Sequence, residues 1–175
     1  MMLYNFICIM NYEEFIEKFD KKLIKYFDFH KEYIFCKEGC SFCCENGDYP
    51  LSQLELKYLM KGFTILDDAT KKNVQDNIKN IKKGGKCPFL INSRCSIYQY
   101  RPIVCRVHGL AYLFKDNKVK LPYCANKGKN YSAQYDKEGE ILINPILENL
   151  DTPAVLKNFD YGEIRNLFDW LLPHA

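Results

Sequence analysis

Between Asn11 and Ile34 the apolar residues fall at Phe15, Phe19, Leu23, Phe27 and Ile34, close to helical spacing, and predict an amphipathic helix. Asn11 is placed to cap it, and Glu14, three residues on, completes a capping box. A second box, Ser52-Gln-Leu-Glu55, predicts a short helix carrying Leu54, Tyr58 and Leu59 and stopping at Gly62. A third helix is expected from about Asp68 to Lys83, with Val74, Ile78 and Ile81 on one face. Its other faces are Lys, Asn and Gln, so it belongs on the surface, and Gly84-Gly85 ends it.

After Gly85 the periodicity is lost. Lys86 to Arg106 is short-ranged and loop-rich, with Pro102 suited to the first turn of a brief helix. Weak alternation from Tyr112 to Tyr123 around Asp116-Asn117 predicts one small hairpin. Lys127 to Gly139 is polar and reads as an exposed loop. At the end, Asp160 and Glu163 read as a box opening a helix with the stripe Ile164, Leu167, Phe168 and Leu171. The expected fold is mainly α: one small domain over residues 1–175, with an irregular cysteine-rich metal-binding segment and one short β-hairpin. Residues 1–33 form its N-terminal helix, 34–126 the cysteine-cluster core, and 127–175 a C-terminal loop and helices.

Composition supports a packed core, with 47% hydrophobic and 27% charged residues. The formal charge of +3 is too small to point to nucleic acid, and no basic stripe accompanies the tyrosines, so nucleic acid is not an expected partner. That charge counts every thiol as neutral; eight thiolates holding two divalent ions would turn the balance slightly negative. No apolar run approaches the length of about 18 residues that a membrane helix needs, so no membrane partner is expected either. The opening MMLYNFICIM lacks the basic start and small-residue cleavage site of a signal peptide, and Met10 is a candidate initiator beside Met1. The expected location is cytoplasmic, where thiols stay reduced. Nine cysteines there speak for metal or redox chemistry rather than disulfides.

Cys8 stands apart and reads as a small buried apolar residue. The other eight are Cys36, Cys40, Cys43, Cys44, Cys87, Cys95, Cys105 and Cys124, the first four within CKEGCSFCC. Spread thiols on irregular backbone suit a metal site, because each sulfur must approach one centre at about 2.3 Å. Gly39, Gly84, Gly85, Pro88 and Pro102 allow and fix the necessary turns. Lys37, Lys86, Arg94 and Arg106 stand beside thiols and would favour thiolates. Successive side chains diverge, so Cys43 and Cys44 more easily serve two centres, or one centre and a separate role, than one tetrahedral ion. Cysteine-only ligation suits structural zinc and iron–sulfur clusters alike. Cys36-x3-Cys40-x2-Cys43 resembles the cluster motif of radical S-adenosylmethionine enzymes, but nothing after Cys44 alternates strand and helix as their barrel demands.

Among other candidates, His108 is the histidine best placed to act at the site, as ligand or proton shuttle, against a structural role. His30 and His174 receive no role. Arg101 is read as bracing the cysteine loops, with carboxylate or phosphate binding as its alternative. Tyr98, Tyr100, Tyr112 and Tyr123 are read as core and as a dry shell around metal.

Taken together, Cys36-x3-Cys40-x2-Cys43-Cys44, Cys87-Pro88-Phe89-Leu90, Cys95-Ser-Ile97-Tyr98 and Arg101-Pro102-x2-Cys105-Arg106 resemble the YkgJ-type cysteine-cluster family of zinc- or iron-chelating domains. The resemblance covers roughly residues 34 to 126, with Cys124 as the expected final cysteine. It implies a metal-ligand role for the eight clustered cysteines and a zinc or iron cofactor, a [4Fe–4S] cluster being one form. The same family includes flagellin lysine-N-methylases. That branch implies the alternative of S-adenosylmethionine as cofactor and a protein lysine as substrate, although no glycine-rich loop follows a strand here. An interaction module with structural zinc is a third reading.

Overall fold

The computed structural model describes residues 2–37, 39–82, 84–134 and 147–172, with side chains from Tyr12 onward except that of Asp116. The first helix, α1, spans Met2–Phe29, so it does not begin at Asn11; nothing in residues 2–10 breaks a helix, and Asn11 lies inside. The side chain of Cys8 and the C-terminal His174 lie outside the described set. The buried seam of α1 is Tyr12, Ile16, Phe19, Leu23 and Tyr26, alternating steps of four and three, and His30 just past the helix end continues it. Phe15, Phe27 and Ile34, expected on that seam, pack along its edge. A short 3₁₀ turn at Lys31–Tyr33 ends the helical run and leads into the first cysteines.

Helix α2 (Phe42–Glu45) carries Cys43 and Cys44. Strand β1 (Pro50–Ser52) then feeds α3 (Gln53–Thr64), whose predicted capping box is formed in full: Ser52 Oγ accepts from Glu55 N–H, and Glu55 accepts from Ser52 N–H. Gly62 does not stop α3. It lies buried within the helix because the Tyr100 ring rests on it, and a Cβ there would meet that ring at 2.5 Å. Gly62→Ala should therefore destabilise the protein. The gain in helix propensity is about 1 kcal/mol, whereas forcing the ring aside costs about 1–3 kcal/mol. Thermal denaturation of the variant checks the sign.

Helix α4 (Asp68–Lys79) is capped by Asp67, whose carboxylate accepts from Thr70 N–H at 2.9 Å. It stops before the predicted Lys83 and, as expected of a surface helix, fully buries Val74 alone. Next come β2 (Leu90–Ile91) and β3 (Arg94–Cys95), a hairpin that the sequence reading did not foresee. Its turn places Asn92 and Ser93 at positive φ, the two-residue geometry that usually signals itself with glycine. Helix α5 (Ile103–Arg106) follows Pro102 as predicted. Strands β4 (Tyr112–Leu113) and β5 (Val119–Lys120) form the predicted hairpin.

The segment after Lys127 is only partly the exposed loop predicted: Asn130, Tyr131 and Gln134 are buried, and residues 135–139 lie outside the described set. Helix α6 (Thr152–Val155) is short. The predicted box at Asp160 and Glu163 does not form, because Ile164–Asn166 is strand β6, paired antiparallel with β1. Asn166 instead caps α7 (Leu167–Leu171), accepting from Phe168 N–H at 3.0 Å.

The described residues thus form a mainly α fold with three short antiparallel strand pairs. Two hydrophobic clusters hold it together. One gathers α1, Leu54, Tyr58, Ile103 and Val107; the other gathers Leu51, Leu59, Phe89, Val104 and Phe168. Helix α5 is wedged between them, with Ile103 and Val107 in the first and Val104 in the second. That wedge fixes Cys105.

Candidate metal centre

Four chain segments bring the eight predicted cysteines to one place. All eight line a single cavity of about 800 Å³, and all eight are free thiols. The loop after α1 supplies Cys36 and Cys40, both exposed. Gly39 takes φ +83° between them, and Cys40 N–H donates back to the Lys37 carbonyl at 3.0 Å. Helix α2 supplies the adjacent pair Cys43 and Cys44, with sulfurs 4.0 Å apart. The stretch 87–105 supplies three more. Cys87 N–H donates to the Cys44 carbonyl at 2.8 Å, Cys95 sits opposite Leu90 in the β2–β3 hairpin, and Cys105 lies on α5. Cys124 comes from the 3₁₀ turn Tyr123–Lys127, which lies against α2 with Tyr123 stacked on Phe42 at 5.8 Å.

Burial raises the thiols of Cys95, Cys36 and Cys124, lifts Cys87 to about 12 and takes Cys105 well above its ordinary range. Cys43 is the exception, held down at about 6 chiefly by the hydrogen bond from Cys44, with His108 adding to the effect. Cys44, as the donor, is correspondingly raised. The thiols also raise one another, Cys43 bearing on Cys36, Cys44, Cys87, Cys95, Cys105 and Cys124 alike. Cys36 feels Cys40, Cys124 and Cys43, and Cys124 feels Cys40 and Cys43. Cys44 feels Cys43, Cys87 and Cys105, whereas Cys105 feels Cys87, Cys95 and Cys43.

The surrounding shell differs in part from expectation. Arg106 turns away from the thiols: it is buried, pairs with Asp20, and donates to the carbonyls of Arg101 and Gln99. The carboxylate and two carbonyls offer a guanidinium more than neutral thiols do. Arg101 takes the place beside sulfur instead, acting on Cys95 and Cys105 from above the Tyr98 ring, 3.5 Å from its centroid. Its Nε is buried without a hydrogen-bond partner. Lys37 and Arg94 line the cavity. His108 lines it too, its Nδ1 bonded to the Val104 carbonyl at 2.7 Å. A carbonyl only accepts, so Nδ1 carries a proton. His30 is buried, stacked on Tyr26 and bonded through Nδ1 to Tyr131 OH at 3.0 Å.

Of the four tyrosines expected as core and shell, Tyr112 is buried, but Tyr98 and Tyr123 are 55% and 51% exposed at the cavity rim. Two residues were missed. Tyr49 is buried at the cavity wall, its OH donating to the Cys43 carbonyl at 3.0 Å. Asn130 ties the outer loop down: Nδ2 donates to Gly109 O at 2.8 Å and to Cys36 Sγ at 3.1 Å, and Oδ1 accepts from Phe35 N–H at 2.8 Å. Gly109, at φ +93°, leaves room for them; a Cβ there would meet Cys36 Sγ at 2.9 Å. Neither Tyr49 nor Asn130 carries a local sequence signal, because each acts on a distant segment or a backbone carbonyl. Asn130→Ala should cost about 1–3 kcal/mol by orphaning the buried Gly109 carbonyl and the half-buried Phe35 N–H, read as a lowered melting temperature.

Among the described residues, no three His, Cys, Asp or Glu side chains already stand in the geometry of one bound ion. The donor set nevertheless fits thiophilic metal: reduced thiols around one cavity, a donor aimed at one sulfur, and a buried guanidinium nitrogen still lacking its acceptor. Nor is any described helix long and apolar enough to cross a membrane. No curated protein and no solved structure gives a significant match to the chain. A family model, CxxCxxCC, described as "Putative zinc- or iron-chelating domain", matches residues 35–130. The chain belongs to this family.

Proposed function

We propose that this member of the family holds zinc or iron as a resident centre, with Cys36, Cys40, Cys43, Cys44, Cys87, Cys95, Cys105 and Cys124 as thiolate ligands. The observation that carries the proposal is the arrival of eight free thiols at one cavity from segments far apart in the chain. Bound there, a metal ion cross-links those segments; an iron–sulfur occupant would also carry an electron. The protein's own part is to supply the thiolates, orient Cys36 through Asn130, and place the Arg101 cation beside Cys95 and Cys105.

Oxygen-free purification followed by elemental analysis and a visible spectrum tests this reading. Brown protein with iron and sulfide supports a cluster, colourless protein with zinc supports structural zinc, and neither metal overturns the proposal. On this reading S-adenosylmethionine neither binds nor perturbs the spectrum; binding would move the chain to the methyltransferase alternative.

A pH dependence follows from the raised thiols. In the metal-free protein most are protonated at neutral pH, Cys87 up to about 12, so metal has to displace protons. Retention against a competing chelator should rise with pH, being weaker at about pH 6 than at about pH 8. Equal retention at both would show that protonated thiols are not the ligands.

A further inference from the structure

We infer that Cys43 and Cys44 bind one and the same ion as a chelating pair, so what they hold is a single zinc or iron ion rather than neighbouring irons of a cubane. The inference rests on the metal-binding reading above and adds which two thiols act together and on what kind of centre.

Adjacent residues on a helix point about 100° apart, and on that ground the sequence favours separate roles for the pair. The side chains converge instead, with Cys43 Sγ and Cys44 Sγ 4.0 Å apart. Two sulfurs at about 2.3 Å from one tetrahedral ion stand about 3.8 Å from each other, close to the spacing the pair already has. In a [4Fe–4S] unit each cysteine takes a different iron, so the cysteine sulfurs stand on separate corners, farther apart than two ligands of one ion. One thiol hydrogen-bonds the other, and an ion held by both sulfurs takes the place of that bond. Two S–H bonds break, two protons pass to solvent and two metal–sulfur bonds form.

The turn that carries the pair is fixed from outside, at carbonyls that so short a helix leaves without partners of its own. The Phe42 carbonyl accepts from Asn46 Nδ2 at 3.2 Å, the Cys43 carbonyl from Tyr49 OH at 3.0 Å, and the Cys44 carbonyl from Cys87 N–H at 2.8 Å. Gly47 leaves the space this needs: a Cβ there would run into the Tyr49 ring and meet the Cys43 carbonyl oxygen at 2.5 Å. The pair is thus a fixed two-point grip at the cavity, and thiols from the other segments complete the coordination.

The test loads the protein with the NMR-active isotope of cadmium in place of its native metal and reads scalar coupling from cadmium to the cysteine β-protons. Coupling of the Cys43 and Cys44 protons to one shared cadmium resonance is the expected result. Coupling to separate resonances, or no coupling from either one of the two residues, overturns the pair. A second measurement counts zinc and iron per chain, after oxygen-free purification, in Cys43→Ser, Cys44→Ser and the double variant. Each single variant should lose the same complement of metal, and the double variant no more than either. A single variant that keeps all its metal, or losses that add in the double variant, would overturn the shared ion. Wild-type protein that holds neither zinc nor iron and takes up no cadmium would instead take down the metal-binding reading itself, so the two failures are distinguishable.

Discussion

Stripping the metal with a chelator under reducing, oxygen-free conditions is expected to abolish cooperative unfolding of the segment from about residue 34 to residue 126. The regular elements that carry the cysteines are too small to stand alone. Helices α2 and α5 have four residues each, and the strands of the β2–β3 hairpin have two. Isolated helices shorter than about 12 residues are marginal in water, and a two-stranded hairpin is no better. Hydrophobic burial holds α5, but the loop bearing Cys36 and Cys40 is exposed and tied mainly through Asn130. Structural metal in small cysteine domains supplies about 10–16 kcal/mol of apparent binding free energy, as much as a whole domain's stability. Metal-free protein should therefore keep helical signal from the longer helices, α1, α3 and α4, while losing its melting transition. Native far-UV signal with cooperative melting after complete removal would show that the fold does not depend on metal.

The second large effect is expected at Glu55, a residue remote from the thiols in sequence. Its side chain is fully buried and satisfies two elements at once. Oε2 accepts from Ser52 N–H and Ser52 Oγ–H, each at 2.7 Å, closing the α3 capping box. Oε1 accepts from Ile103 N–H at 2.7 Å, at the start of α5, where Pro102 has no side chain to cap with. Glu55 thus serves as N-terminal acceptor for two helices, and one of them carries Cys105. Burial pushes its carboxyl above the usual range even against the hydrogen bonds from Ser52 and Ile103. Glu55→Ala would leave three buried donors without an acceptor, at about 1–3 kcal/mol each, and should cost about 3–5 kcal/mol in all. Glu55→Gln keeps one acceptor oxygen and turns an NH₂ toward another donor, so an intermediate loss is expected. Denaturant midpoints give the size, and metal content should fall alongside as α5 loosens. A loss under about 1 kcal/mol for the alanine variant would remove Glu55 as the link between α3 and the cysteine helix.

What the sequence disclosed was what is local. The Ser52–Glu55 box, the brief helix after Pro102 and the hairpin around Asp116-Asn117 are set by residues a few positions apart, and all three form. The eight-cysteine framework was legible for a related reason, since the spacing of thiols carries its own chemical meaning and the family match spans it. The misread features depend on distant partners. Ile164 to Asn166 carries a helical apolar pattern, yet pairing with Pro50–Ser52 makes it a strand. Gly62 looks like a stop signal, but the Tyr100 ring that needs the space lies far along the chain. Arg106 adjoins Cys105 in sequence, but Asp20 on α1 and two carbonyls draw it away, and Arg101 takes up the thiol side. Asn130 sits in a stretch that reads as polar loop, and only the fold reveals its hold on Cys36.

The most direct test of the central claim is the intact mass of protein purified without oxygen, measured under native and then under acidic, denaturing conditions. A native mass exceeding the denatured one by bound zinc, or by iron with or without sulfide, with all eight clustered cysteines still reduced, is the predicted result. Identical masses in the two conditions would contradict it.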